Sequence, residues 1–260
     1  MIGVFYPYLA TRCRFGEMSE LEISMESIEN FLIEDFEFWI VASEWEIEGL
    51  DIRDRLVKRF GDKVNFIDHQ RNGHVPEPAI FDTAEKMKVY LEHSDTPDEF
   101  IRMYDDIYLL APRKAEDFRV TRYLFEYEEL SARLRSGGYL WRSQVMRSVA
   151  AVRKYGCRGI MTETHCPELF VKDWMRNIFE LFEPGKNRMV TSTLYFNVYP
   201  YPRELKDWKT ERVLFYGYDD EFSYGPGSVN DKVKDKFYLN CNDKGLDAEL
   251  YRWLMDHLKI

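Results

Sequence analysis

The stretch FEFWIVAS (Phe36–Ser43) decides how the fold is read. It is apolar almost without a break, the pattern of a strand covered on both faces. Such strands belong to parallel sheets with helices on either side, and the flanking sequence supplies the parts. Upstream, IGVFYPYL (Ile2–Leu9) reads as a first strand, and Ser19 can cap a helix carrying Leu21, Met25, Ile28 and Leu32 at helical spacing. Downstream, IRDRLVKRFG gives a helix with Ile52, Leu56 and Phe60 on one side and Gly61 as its stop. KVNFID (Lys63–Asp68) is a third strand, Ala79–His93 a third helix, and EFIRMY (Glu99–Tyr104) a fourth strand.

This βαβαβαβ order predicts an α/β fold, with a mostly parallel sheet flanked by helices over residues 1–115. A more helical half, 116–260, completes the same domain. Its candidate helices are Asp117–Leu134, Arg142–Tyr155, Glu168–Phe182 and Asp247–Leu258. Short strands are expected around Val190–Val198 and Arg212–Tyr216, and the Gly, Tyr and Asp of Tyr216–Asp231 suggest a mobile loop or lid.

Composition narrows the class. With 45% hydrophobic and 32% charged residues in 260, the chain has the make-up of a soluble enzyme. No charged region precedes an apolar run at the N-terminus, so no signal peptide is read, and no stretch has the length of a membrane span. Cys13, Cys157, Cys166 and Cys241 lack C-x-x-C spacing and read as reduced thiols, which makes a cytoplasmic protein the expectation. The net charge of −10 argues against a uniformly nucleic-acid-binding surface. Yet Ser131–Thr162 contains no acid and seven bases: Arg133, Arg135, Arg142, Arg147, Arg153, Lys154 and Arg158. That asymmetry suits an anionic ligand or partner, and equally a helix face that neutralises acidic neighbours.

In parallel sheets, ligands bind beyond the carboxyl ends of the strands. There the sequence reads MYDDIYLL, with Asp105 and Asp106 side by side between apolar residues. The pair suits a turn between strands; it also suits Mg²⁺ or Mn²⁺ bridging to the phosphates of a nucleotide. No P-loop, G-x-G-x-x-G, G-x-S-x-G or H-E-x-x-H motif is present. His165, just before Pro167, suits a general base or phosphate contact at a cleft, or a capping histidine. His69 ends the third strand, on the expected active face, with His74 in the loop that follows. Arg188 can serve a phosphate, the group Asn240–Asp243 can complete a cation shell or form an Asx turn, and Asp219 and Asp220 form a second acid pair.

In order and approximate spacing these segments resemble the Stealth family of sugar-phosphate transferases. The resemblance runs through ELEISMESIENFLIEDFEFWIVAS, VNFIDHQRNGHVPEPAIFDTAEKMKVYL, EFIRMYDDIYLLAP, ETHCPELFVKDWMRNIFELF and FYLNCNDKG. These look like the family's L-x-S-I-x-x-F run, its F-N-S segment, its N-D-D signature, its H-x-P block and its closing L-N-D. The family's opening Y-T-W-V-D block is absent, Tyr104 stands for the Asn of N-D-D, and F-N-S reads Phe81-Asp82-Thr83.

The resemblance implies a GT-A-like core, a nucleotide-sugar donor and a divalent cation. By motif, the metal pair falls on Asp105 and Asp106, the block histidine on His165, the following arginine on Arg188, and the closing pair on Asn242 and Asp243. The expected protein is a metal-dependent glycosyltransferase or sugar-phosphate transferase, with residues 1–115 binding the nucleotide sugar and 116–260 facing the acceptor. Asp105 and Asp106 would hold Mn²⁺ or Mg²⁺, while Arg188 and Arg14 meet charge on the leaving phosphate. His165 would orient or deprotonate the acceptor hydroxyl, and His69, Asn242 and Asp243 would help bind the nucleotide. The basic stretch 131–162 would suit an anionic polymer as acceptor, a glycan or hydroxylated bases in nucleic acid. Two other readings stay open: a non-catalytic nucleotide- or sugar-binding protein on the same fold, and a metal-dependent phosphoesterase.

Overall fold

A computed structural model describes residues 1–8, 18–43, 46, 51–69, 79–129, 139–162, 164–206, 211–215, 217–218, 221–222, 229–241, 246 and 248–260. The first half alternates as its periodicity dictates. Strand β1 (Ile2–Pro7) leads to α1 (Glu20–Phe31), β2 (Phe36–Ala42), α2 (Ile52–Phe60), β3 (Val64–Asp68), α3 (Ala79–Glu92) and β4 (Glu99–Arg102). Ser19 starts α1 through a capping box. Its Oγ accepts from Glu22 N at 3.2 Å, and the Glu22 carboxylate accepts from Ser19 N at 2.7 Å. Gly61 stops α2 with φ of 60°, a conformation that a side chain would strain.

The central sheet has the order β3-β2-β1-β4-β7, where β7 is Glu168–Val171. β1 to β4 run parallel and β7 pairs antiparallel with β4, so a mostly parallel sheet flanked by helices is what this chain forms. β2 is covered on both sides. Phe38 and Ile40 join the core layer beneath α1 and α2, whereas Trp39 and Val41 join the opposite layer with Met87 and Tyr90 of α3. Burial on both faces is why FEFWIVA shows no polar alternation.

The second half departs from expectation in three places. Asp117–Leu134 is not an α-helix from Asp117 to Glu126, and among its described residues only Tyr127–Glu129 are α-helical. A 3-10 turn, Ala115–Phe118, leads instead into β6 (Thr121–Arg122), which pairs with β8 (Glu204–Leu205). Arg122 fixes that path: it is buried and donates from Nε to Glu211 at 3.0 Å, leaving no room for a wet helical face. The helix expected from Glu168 begins later, as α5 (Lys172–Phe182), because Glu168–Val171 satisfy the edge of β4 as a strand. The strands expected around Val190–Val198 are a helix, following the short helix α6 (Pro184–Asn187). This α7 (Thr191–Val198) packs against α4 (Tyr139–Lys154) and α5, and Asn197 fastens it by accepting from Gly159 N and Ile160 N. Tertiary burial outweighs the β preference of its Thr, Tyr, Phe and Val.

A small sheet is appended: β5 (Ile107–Leu109) antiparallel to β12 (Tyr238–Cys241), which runs parallel to β9 (Arg212–Phe215). The terminal helix α9 (Ala248–Leu258) covers it and α1, and Asn30 Nδ2 donates to Leu258 O at 3.1 Å. Of Tyr216–Asp231, Gly217–Tyr218 (β10) pairs with Glu221–Phe222 (β11), and Val229–Val233 is α8. Asp219, Asp220 and much of that segment lie outside the described residues. Among the described residues, no helix is long and apolar enough to cross a membrane.

Candidate active site

Strand order sets where a ligand can enter. β2 and β3 lie on one side of β1, and β4 and β7 on the other, so the chain changes winding direction between β1 and β4. The crevice of an open α/β sheet opens beyond the carboxyl ends at that point. Tyr8 follows β1 there, and Asp105 and Asp106 follow β4 as a turn closed by Ile107 N donating to Tyr104 O at 3.1 Å. The turn reading and the site reading of the pair are therefore compatible. The turn redirects the chain into β5 and leaves both aspartates half-buried at the switch point.

Two separate elements hold this turn. From β12, Asn240 Nδ2 and Cys241 N both donate to Asp106 O at 3.0 Å. From α1, Ser24 Oγ donates to Ile107 O at 2.6 Å. Burial pushes the Asp106 carboxyl up to about 7; Asn240 opposes the shift, Glu20 adds to it, and Arg212 opposes it. Desolvation, more than any neighbouring charge, sets that shift.

His165 reaches the same edge because β7 runs antiparallel, placing its amino end beside the carboxyl end of β4 through the pair Arg102–Glu168. His165 is exposed and takes φ of 48°; Arg212 Nη1 donates to its carbonyl at 2.9 Å and to that of Thr164. A column of flat groups backs it. The Arg102 guanidinium carbon lies 5.5 Å from the Phe170 ring centre and 5.1 Å from that of Tyr104. The Tyr104 and His165 rings are 6.1 Å apart. Arg102 itself is buried and paired with Glu168.

His69 follows β3 at the far side of the same edge, two strands from β1, buried, with its carbonyl accepting from Ser43 Oγ at 3.0 Å. Arg188 is exposed in the left-handed link between α6 and α7, three residues before Thr191, whose Oγ1 accepts from Arg102 at 3.4 Å. Arg14, His74, Asn242 and Asp243 lie outside the described residues. Tyr8, Glu20, Lys86 and Arg212 carry no motif and only the fold brings them to the edge. Lys86, fully buried on α3, donates to the carbonyl of Tyr8 and pairs with Glu46 at 3.0 Å and Asp82 at 2.6 Å. Glu46 accepts from Ser43 N at 2.7 Å, so one ammonium ties together the ends of β1 and β2.

The donor set fits a hard divalent cation in kind. Asp105 and Asp106 offer carboxylate oxygens, and a cation would favour the ionised form of Asp106 that burial disfavours. Among the described residues no group of three or more His, Cys, Asp or Glu is disposed to hold a metal, so their share of a cation shell would amount to this pair, with substrate oxygens and water among the remaining ligands.

Fold and site together define an α/β protein with an acidic turn at the switch point of its sheet. No protein-family model matches the chain, and no curated protein sequence does. Among solved structures it is similar to an active-site mutant of LgtC, at 11% identity over 100% of this chain and 95% of that one, with a TM-score of 0.48. Similarity also extends to galactosyltransferase LgtC in complex with donor and acceptor sugar analogs, at 12% identity over the same shares, with a TM-score of 0.45. The apo structure of the bifunctional glycosyltransferase WbbM is similar at 9% identity over 99% of this chain and 49% of that one, with a TM-score of 0.48. The likeness is one of chain path.

Proposed function

We propose that the protein is a metal-dependent transferase that moves a sugar, or a sugar phosphate as the Stealth resemblance implies, from a nucleotide sugar to an acceptor hydroxyl. One observation carries the reading: an aspartate pair turns at the β1/β4 switch point, where open α/β sheets bind nucleotides, with His165 on the same edge. Asp105 and Asp106 would hold Mn²⁺ or Mg²⁺, which when bound neutralises charge on the diphosphate. His165, backed by Tyr104, accepts the proton of the acceptor hydroxyl as the new bond forms. Arg188 and Arg14 meet the negative charge of the departing phosphate.

The acceptor side is assigned to the face of α4. Arg147, Arg153 and Lys154 are exposed there, Tyr155 is exposed at its end, and Arg153 lies over the exposed ring of Tyr127 at 5.1 Å. That mixture of cations and aromatic faces supports an anionic polymer, a glycan or a nucleic acid, as acceptor. Arg158 is already paired with Glu126 and Glu204, so it neutralises neighbours.

The test is a thermal-shift screen of nucleotide sugars with and without Mn²⁺, run on the wild type and on an Asp105→Ala/Asp106→Ala variant. Stabilisation of the wild type by one nucleotide sugar, dependent on Mn²⁺ and lost in the variant, is the expected result. A variant that binds with unchanged metal dependence removes the metal assignment. Release of inorganic phosphate without sugar transfer would reassign the site to phosphoester hydrolysis.

A further inference from the structure

Tyr6 lies next to the last residue of β1, and Tyr8 follows that strand directly. Two residues apart on an extended chain, their rings point to the same side, into the core layer beneath α1. The two hydroxyls have different fates. Tyr6 Oη is bonded to Ser24 Oγ at 2.8 Å. Tyr8 is only 2% exposed, and its Oη has no hydrogen-bond partner among the described residues. A buried phenol in that state bears its full desolvation cost with nothing in return.

Both backbone polar groups of Tyr8 are held in place. Tyr8 N donates to Val41 O at 3.1 Å, and Tyr8 O accepts from the fully buried ammonium of Lys86. Burial first, and then the negative charges of Asp105, Glu46, Glu20 and Glu22 in that order, keep the phenol's proton in place. Tyr90 Oη is also unpartnered, but it lies over Gly3 on the other face of the sheet, where a Cβ would approach it to 2.5 Å. Tyr8 instead stands at the carboxyl end of β1, at the switch point.

The chemistry of the surroundings selects the ligand group. Away from a bound cation, a phosphate oxygen here would meet the negative charge of Asp105 and Glu20. A hydroxyl can accept from the phenol and donate to a carboxylate, so it satisfies both kinds of neighbour. We propose that Tyr8 reads the sugar-containing substrate, its Oη donating a hydrogen bond to a hydroxyl oxygen that in turn donates to a neighbouring carboxylate. The proposal rests on the nucleotide-sugar reading above and extends it to a residue that no motif marks. The hydroxyl belongs to the ribose or to the transferred sugar.

Tyr8→Phe removes one oxygen atom and keeps the ring, and it separates these cases. Calorimetric titrations would use UDP-glucose, UDP-galactose, GDP-mannose, ADP-glucose and dTDP-glucose in Mn²⁺, with the matching nucleoside diphosphates. The free variant should melt at or above the wild-type temperature, because an unpaired buried hydroxyl is gone. Its affinity for the nucleotide sugar that wild type prefers should fall about three- to tenfold. If the free nucleoside diphosphate weakens equally, the hydroxyl is the ribose's; if only the nucleotide sugar weakens, it is the transferred sugar's. Unchanged or tighter binding by Tyr8→Phe, with wild type binding normally, overturns this inference alone. Failure of wild type to bind any of the five overturns the nucleotide-sugar reading and this inference with it.

Discussion

Asn240, on β12, donates its side-chain amide to the backbone carbonyl of Asp106 at 3.0 Å, across a sequence separation of 134 residues. The bond joins the appended sheet to the turn that carries both candidate metal ligands. Replacing Asn240 by Ala should leave the fold intact but loosen that turn. Mn²⁺ affinity, measured by titration calorimetry with the preferred nucleotide sugar present, should drop on the order of tenfold, as for other residues that orient ligands from behind. An Asn240→Ala protein with wild-type Mn²⁺ affinity would detach β12 from the site.

Asp106 makes stability depend on pH. Its carboxyl is pushed up to about 7 in the folded chain from an ordinary value of 3.8, so the unfolded chain gives up that proton first as pH rises. The protonated form's contribution is complete below the ordinary value and is lost as pH climbs through about 7. The metal-free melting temperature should therefore carry a falling component between about pH 4 and pH 7 that Asp106→Asn abolishes. Mn²⁺ held by Asp105 and Asp106 would favour the ionised carboxylate, so it should raise the melting temperature more above about pH 7 than below it. Parallel pH curves for wild type and Asp106→Asn would contradict this.

Lys86 answers two buried carboxylates and a strand-end carbonyl with one ammonium. Lys86→Met deprives Glu46 and Asp82 of that ammonium and should cost about 3–5 kcal/mol in urea unfolding. Lys86→Arg keeps the charge and should cost less. Equal stability of Lys86→Met and wild type would show that the ion pairs contribute nothing net.

The column behind His165 separates positioning from folding. Tyr104→Leu removes the ring lying between the Arg102 guanidinium and His165, whereas Tyr104→Phe keeps it. The Leu variant should lose about tenfold in kcat with little change in nucleotide-sugar affinity, and the Phe variant should retain most of the rate. A rate loss shared by both, or a loss confined to affinity, would count against His165 as the proton acceptor.

How much of this was written in the chain differs from element to element. Periodicity, the Ser19 cap and the Gly61 stop are local, so β1 to β4 and the helices between them were legible before any coordinates. The position of Asp105 and Asp106 at a strand end followed from that order. The run TSTLYFNV misled, because local preference favours a strand, while its packing against α4 and α5 makes it α7. The same holds for Glu168–Val171, where an open strand edge on β4 captured residues that would otherwise have begun a helix.

The sequence by itself determined the parallel βα frame and the edge at which a ligand would enter, since both rest on neighbours within a few residues. Only the tertiary structure decided what surrounds the aspartates: Asn240 on Asp106, His165 delivered by an antiparallel strand, and Lys86 holding the carbonyl of Tyr8. Those contacts join residues far apart in the chain, and a hydroxyl buried without a partner becomes visible only once everything around it is packed.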